Sequence, residues 1–493
     1  MEQRRVIERH GVSAMPEHRR TARPASVTWV LVGSNLSLSA TVFGWLPVTY
    51  GLSWWQIVAA AVAGTALGLM VAAPLALLGF RAGTSNTVAA GAHFGVRGRL
   101  VGSLIGLLLS LGYTAVAIWT GGEAVVAVLA RLSDAVPDSV PDSVPGAGPG
   151  EAARAAAYAG IAVLVAALAV GGFELISRIS ALLVAPMALV LAAGVVAYAP
   201  GFDPSWSAAA AGRPDGASAW ILALVTAGIS GPVAYATIIG DYTRYLSPRR
   251  HSAASVVWSS AAGLFCGLLA PTLFGAFVAI STRAESAYLE SLVRAAPAWY
   301  VPLLLFAAVA GCLGAAGVPL YNMGLELHGL FPRTSRTAGA AVATAITVGL
   351  VFAGRSTVGV EQAVTGFVVV LTVLATPWAV IALIGHLRCG RVYDVRDLQV
   401  HNKSLSGGRY WYAGGWNPRA CAAWLAGAAV GLLDADSPLY TGPLVVLTGG
   451  LDVGFLLSAL VAACVYLLLG TGHRAGEPIP DWRQAYLWPA AGR

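Results

Sequence analysis

Residues 221–246, ILALVTAGISGPVAYATIIGDYTRYL, form a long apolar segment interrupted at its centre and closed by charge. In hydrocarbon a backbone amide has no water to bond, so a helix can open only where protein or a solvent cavity lies beside it. Gly228, Gly231 and Pro232 favour such an opening. Glycine has no Cβ to hold it helical, and proline removes a donor and clashes with the preceding turn. The stretch reads as a broken membrane helix beside a small-molecule site, with backbone groups freed at Gly231 and Pro232.

The rest of the chain supplies the membrane context. Of 493 residues 57% are hydrophobic and 11% charged, with a mean hydropathy of +0.72; soluble chains carry roughly 25% charged residues. A span takes about 20 apolar residues, and by that rule twelve segments qualify: 27–48, 57–78, 101–130, 155–172, 176–198, 219–240, 253–280, 299–327, 337–354, 361–385, 418–434 and 446–469. No soluble domain is left over. The chain is an all-α, multi-pass integral membrane protein.

The net charge of +7 does not point to nucleic acid, because the basic residues are sorted by side. With the N-terminus inside, all but Arg131, Arg154, Arg213, Arg283, Arg294 and Arg355 of the 30 basic residues face the cytoplasm. The positive-inside rule then puts both ends in the cytoplasm of a plasma-membrane protein. The first 26 residues are arginine-rich and run into a full span without an A-x-A-like site, so no removable signal peptide is expected. Cys266, Cys312, Cys389, Cys421 and Cys464 are scattered and read as free thiols rather than disulfides or a metal site. No cofactor is expected.

The first span, VTWVLVGSNLSLSATVFGWLP, has a soft polar centre of its own at Gly33, Ser34 and Asn35, followed by Ser37, Ser39 and Thr41. Paired with the interrupted sixth span, it points to inverted repeats with a midplane site. The expected organisation is a cytoplasmic tail (1–26), repeat one (27–198, spans 1–5) and repeat two (219–385, spans 6–10). A cytoplasmic loop (386–417), spans 11–12 (418–469) and a cytoplasmic tail (470–493) complete it. The run SDAVPDSVPDSVPGAGPGE, 133–151, reads as a proline-rich external connector.

In the third span, Tyr113, Val116, Ala117, Thr120 and Glu123 fall along one side at helical spacing. Glu123 is the acid read as lying well inside a span, and an intramembrane acid is by default a functional group; the alternative is a structural glutamate near the outer interface. Asp241 and Arg244 sit three apart and suit a gating ion pair at the cytoplasmic mouth. Between Leu292 and Arg333 there is no Ser or Thr, and small residues dominate.

Several stretches together resemble the nucleobase:cation symporter-1 family of cytosine, purine, uracil, allantoin and hydantoin permeases. They are HFGVRGR after span 2, WTGGEA in span 3, GDYTRY ending span 6, LYNMGLEL in span 8, TPWAVI in span 10 and GGRYWYAGGWNPRACAAWLAGAAVGLL through span 11. The resemblance runs from about residue 27 to 470, in order. It implies a leucine-transporter-like fold of two inverted five-helix repeats plus two C-terminal helices, and alternating-access import of a flat nucleobase-like heterocycle. The family's substrate positions fall on Tyr113, Ala117, Pro232 and Pro319. Three of those lack the family's stacking or amide chemistry, so an unusual base or another small heterocycle is implied.

Sodium-coupled members use helix 1 carbonyls and helix 8 hydroxyls as oxygen ligands. Here the helix 8 places are Ala315 and Ala316, which favours proton coupling with Glu123 as the titrating group. The expected pocket is Asn35, Ser37, Ser39, Tyr113, Ala117, Gly231, Pro232 and Pro319, with no metal and no catalytic residue. The partners implied are a small nucleobase-like substrate and the lipid bilayer, not nucleic acid; the oligomeric state stays open. An inverted-repeat carrier of amino acids or another small solute is the alternative. A membrane-embedded enzyme or a channel is less consistent, because paired carboxylates, H-E-x-x-H, a Ser/His/Asp set within the spans and a repeated pore motif are all missing from the sequence.

Overall fold

A computed structural model describes residues 13–132, 149–171, 173–208, 216–330, 336–357, 360–389, 392–403, 405–437 and 439–470. Most of the proline-rich run and the C-terminal tail from 471 lie outside them. The first span is two helices, α1 (Pro24–Asn35) and α2 (Leu38–Thr49), bent by 64° at their joint. The polar centre of the sequence explains the bend. Ser37 leaves the helix at φ −151° and its Oγ accepts the Ala40 N–H at 3.3 Å, an N-cap set in the middle of a span. Backbone groups at both helix ends are thereby turned toward the protein interior.

Then follow α3 (Trp54–Ala82), α4 (Leu100–Leu132), α5 (Pro149–Gly171), α6 (Phe173–Tyr198), α7 (Gly216–Thr243) and α8 (Ala253–Thr282). The remainder are α9 (Val301–Leu330), α10 (Arg336–Thr357), α11 (Val360–Arg388), α12 (Pro418–Leu433) and α13 (Gly454–Leu469). Among the described residues eight helices are long and apolar enough to cross a membrane, nine with the α1–α2 pair. Three shorter apolar helices lie at Ala338–Phe352, Pro418–Leu433 and Gly454–Leu469.

The last span starts later than expected. Residues 446–453 are turns, with Gly449 and Gly450 at φ 72° and 84°. Asp434, at the end of α12, accepts the Thr448 hydroxyl at 3.0 Å and the Val453 N–H at 3.2 Å, which holds this segment out of the helix.

The sixth span also differs from expectation. α7 does not unwind at Gly231 and Pro232. It passes from α-helix (Gly216–Ala223) into a π-helical turn (Leu224–Ile229) and back into α-helix (Ser230–Tyr235). Turns then lead to a last helical turn at Gly240–Thr243. Pro232 has no N–H for the carbonyl four residues back, and that residue, Gly228, already lies in the π turn, where the bonding register has shifted. The widened turn accommodates the proline without a break. A carbonyl that another element does use comes one turn later, at Ala236, which accepts the Asn86 amide at 2.7 Å.

Small residues set how closely these helices meet. A Cβ on Gly228 would stand 2.5 Å from the Gly64 Cα, so α3 and α7 touch backbone to backbone. Gly79 and Gly240 repeat the approach near the C-terminal ends of the two helices. On the other side α9 packs along α4 and reaches the α1–α2 joint, where a Cβ on Gly314 would lie 2.8 Å from the Gly33 carbonyl oxygen.

A strap of N-terminal residues crosses the end of this assembly. Met15 N–H bonds Gly83 O at 2.8 Å, and Ala22 N–H bonds Tyr245 O at 3.1 Å. Between them the buried Arg20 donates from Nε to Arg244 O at 3.0 Å and from Nη2 to Phe80 O. Glu17 accepts the Ser247 hydroxyl and an Arg20 Nη1 hydrogen bond of 3.4 Å. The Ser247 hydroxyl and the nearby guanidinium groups hold the Glu17 carboxyl below its ordinary range.

Candidate functional site

Between the α1–α2 joint, the middle of α4 and the π turn of α7 lies a cavity of about 840 Å³ of empty space, its opening included. Its aromatic side chains are Phe43, Tyr113 and Tyr235, and its polar ones include Ser34, Asn35, Ser37, Ser39, Ser110, Thr226, Ser230 and Thr272. Among the described residues no charged side chain lines it.

The joint in the first span places most of the polar groups. Asn35 Nδ2 donates to Leu31 O at 2.7 Å and to the Tyr235 hydroxyl at 2.9 Å. Both amide hydrogens are thereby committed, so Oδ1 is what this side chain offers a ligand. Ser34 Oγ lies 3.2 Å from the same Tyr235 hydroxyl and 3.2 Å from Leu31 O. Ser37 and Ser39 share a hydroxyl–hydroxyl bond of 2.8 Å. On α7, Thr226 donates to Leu222 O at 2.8 Å and Ser230 to Thr226 O at 3.0 Å. A hydroxyl that gives its hydrogen back to its own helix presents lone pairs to whatever lies beside it. The cavity wall is therefore rich in acceptors.

The aromatic groups are fixed by ring contacts. Tyr113 lies 5.8 Å from Phe43, tilted at 52°, and 5.5 Å edge-on from Phe367 at 76°. Tyr235 is held through its hydroxyl by the two side chains of α1. A flat ligand would meet aromatic surface from α2, α4 and α7, with acceptors at its edges.

Of the residues named from sequence, Asn35, Ser37, Ser39, Tyr113, Gly231 and Pro319 line this cavity, and Ala117 and Pro232 do not. Ala117 is turned toward α9, where its carbonyl accepts the Cys312 thiol at 3.0 Å. Pro232 packs on α3, its ring 3.0 Å from where a Cβ on Gly68 would be. Tyr235, which the sequence reading does not name, comes three residues after Pro232 in the same helix, so the aromatic stands one turn beyond the position that lacks one. Ser34, Phe43, Thr226 and Ser230 also line the cavity, beyond the pocket residues expected from sequence.

Glu123 is not at the cavity. It lies two turns along α4 from the lining residue Val116, where it accepts the Tyr158 hydroxyl and sits 3.7 Å from Arg154 Nε, with 22% of its side chain exposed. A glutamate far more deeply buried than Glu123 is Glu326, 2% exposed, on α9. Its Oε1 accepts the Thr87 hydroxyl at 3.1 Å. The sequence reading ended its eighth span at 327, which made Glu326 an edge residue, but α9 continues to Leu330. Asp241 and Arg244 are 1% and 0% exposed at the end of α7, and Arg244 Nη2 donates to Tyr321 of α9 at 3.2 Å.

A family model described as permeases for cytosine/purines, uracil, thiamine and allantoin matches residues 14–459. YxlA of Bacillus subtilis (strain 168), assigned as a purine-cytosine permease, is 23% identical over 478 residues, covering 94% of this chain and 96% of that protein. Among solved structures, Mhp1, a nucleobase-cation-symport-1 family transporter in a closed conformation with bromovinylhydantoin bound, superposes with a TM-score of 0.71. It is 17% identical, over 94% of this chain and 95% of Mhp1. A Na+-coupled sialic acid symporter in a substrate-bound outward-open state shares the fold at a TM-score of 0.51 and 14% identity, over 93% and 92% of the two chains. The chain is a member of the cytosine/purine, uracil, thiamine and allantoin permeases, the nucleobase-cation-symport-1 transporters.

Proposed function

We propose that this transporter imports a neutral, flat heterocycle bearing N–H groups, a nucleobase or a related ring, by proton-coupled alternating access across the plasma membrane, both termini being cytoplasmic. The observation that carries this is the wall of the cavity: three aromatic side chains, an acceptor-rich rim and no charged side chain among the described residues. Ring N–H groups of nucleobases, hydantoins and ureide heterocycles find acceptors at Asn35 Oδ1 and the α7 hydroxyls, and their faces find Tyr113, Tyr235 and Phe43. A zwitterionic amino acid would bring two full charges into this site, at a desolvation cost of several kcal/mol each.

Proton rather than sodium coupling is supported by α9. The residues of α9 nearest the α1–α2 joint and the cavity are Gly311, Gly314 and Ala315, and no Ser or Thr occurs between Leu292 and Arg333 to supply an aliphatic hydroxyl; hard cations take oxygen ligands. Asp241 and Arg244 belong to the cytoplasmic closure in this reading. Uptake of radiolabelled cytosine, adenine, hypoxanthine, uracil and allantoin into expressing cells tests it. Saturable uptake of one of them should survive sodium removal and collapse with a protonophore. Sodium-dependent uptake would refute the coupling, and failure with all five would refute the substrate class.

A further inference from the structure

We propose that Glu326 is the proton-binding group of this transporter, placed one layer beneath the floor of the ligand cavity on its cytoplasmic side. The inference rests on the proton-coupled reading above and moves the proton from Glu123 to a different helix and a different face of the protein.

Glu326 lies two helical turns beyond Pro319, a cavity-lining residue of α9, or about 10 Å along the axis. The groups around it connect it to the cavity. A Cβ on Gly106 would lie 3.6 Å from Glu326 Oε1 and 3.3 Å from the Thr237 hydroxyl, so carboxyl, α4 and α7 meet at one point. One turn further along α4 stand Leu109 and Ser110, and next to Thr237 stands Ile238, all three in the cavity wall.

The carboxyl has the surroundings of a group that changes protonation rather than one locked in a salt bridge. Thr87 Oγ1 is 3.1 Å from Oε1 and 3.4 Å from Oε2, and the Ser103 hydroxyl stands near the same group. Hydroxyls rotate, so they donate to a carboxylate and accept from a carboxylic acid equally well. The charged groups that act on it are Arg99, at the approach to α4, and Asp241 of α7. The segment 84–90, which brings Thr87, holds no ionisable residue.

Arg99 is itself 1% exposed and donates from Nη2 to Asn402 Oδ1 at 2.5 Å. Its charge acts on the carboxyl from a distance, and its bond to Asn402 reaches the loop between α11 and α12. Binding a proton at Oε1 or Oε2 neutralises the carboxylate and removes that attraction. Releasing the proton to cytoplasmic water restores it, and no other bond changes. Ligand and proton then share one closure, formed by α4, α7 and α9.

The test uses the purified full-length transporter in two assays. Infrared difference spectra, titrated across about pH 4 to 9 to cover both free and desolvated carboxyl groups, should contain a protonated-carboxyl band that E326Q removes and E123Q keeps. In proteoliposomes loaded with cytosine, hypoxanthine or allantoin, E326Q should retain counterflow but lose gradient-driven accumulation, about tenfold per pH unit for one proton. E326D should keep the band at a shifted midpoint and regain part of the accumulation, which separates proton binding from a packing role.

A band that persists in E326Q, or accumulation that still follows the pH gradient, overturns the proposal. If the unsubstituted protein moves none of the three ring compounds, the substrate reading fails. The infrared titration still decides the site: loss of the band in E326Q sustains it, and persistence overturns it.

Discussion

Tyr235→Phe is the most direct probe of the cavity, because it removes one oxygen atom and leaves the ring. That oxygen accepts the Asn35 amide at 2.9 Å and lies 3.2 Å from Ser34 Oγ, so a single atom of α7 orients two side chains at the end of α1. A neutral hydrogen bond contributes about 1 kcal/mol net. With Asn35 still anchored to Leu31 O at 2.7 Å, the loss falls at about 1–2 kcal/mol. At 1.4 kcal/mol per tenfold, that is about a 5- to 30-fold rise in KM for the proposed heterocyclic substrate, with Vmax changed far less. Initial-rate uptake in proteoliposomes measures it, using whichever base the protein accumulates.

The double substitution with Asn35→Ala is the sharper arm of the experiment. If the hydroxyl acts through Asn35, the two effects are non-additive by about 1 kcal/mol. An unchanged KM in Tyr235→Phe, or strictly additive effects, would refute the idea that the α1–α7 contact shapes the ligand site.

Other outcomes follow from the same geometry. Gly228→Val places a branched side chain where a Cβ alone would meet the Gly64 Cα at 2.5 Å; overpacking costs about 1–3 kcal/mol, and a fall in Tm in detergent together with loss of transport is expected. Under the proposed proton coupling, Glu123→Gln should leave gradient-driven uptake intact; it should lower Tm only slightly, since a partly exposed ion pair such as that with Arg154 contributes about 0–1 kcal/mol. Glu17 has a lowered carboxyl pKa in the folded protein, so its contribution is present above its ordinary value of 4.5 and is lost as pH falls through the lower native one. Protection factors for amide hydrogen exchange in residues 15–23, corrected for the intrinsic rate at each pH, should therefore fall on acidification, and Glu17→Gln should remove that pH dependence.

The broken first span was legible because its signal is chemical. Ser37 can cap a helix only by leaving it, and the run GSNLS announces a place where backbone and side chains turn inward. The sixth span was legible as a site but not as a shape. Glycine and proline suggest a break, whereas a π turn, which leaves no mark of its own in composition, absorbs the proline and keeps the span continuous. Glu123 looked isolated because Arg154 and Tyr158 come from the next helix, across the proline-rich run. Glu326 was passed over because a sequence places an acid by its distance from the end of an apolar run, and α9 outlasts that run. Ala117 and Pro232 failed for a related reason. A helical face seen in one chain has two flanks, and only the packing partner decides which flank is lined by protein.

The strap formed by Met15 to Arg23 bonds both to the end of α3, at Phe80 and Gly83, and to the end of α7, at Arg244 and Tyr245. A buried guanidinium stapled to carbonyls of two helices makes those helices one lever. The glycine contacts between them press the two shafts together, and the tail ties the handle. A movement that parted α3 from α7 would have to break the Arg20 bonds to Phe80 O and Arg244 O and open the glycine contacts.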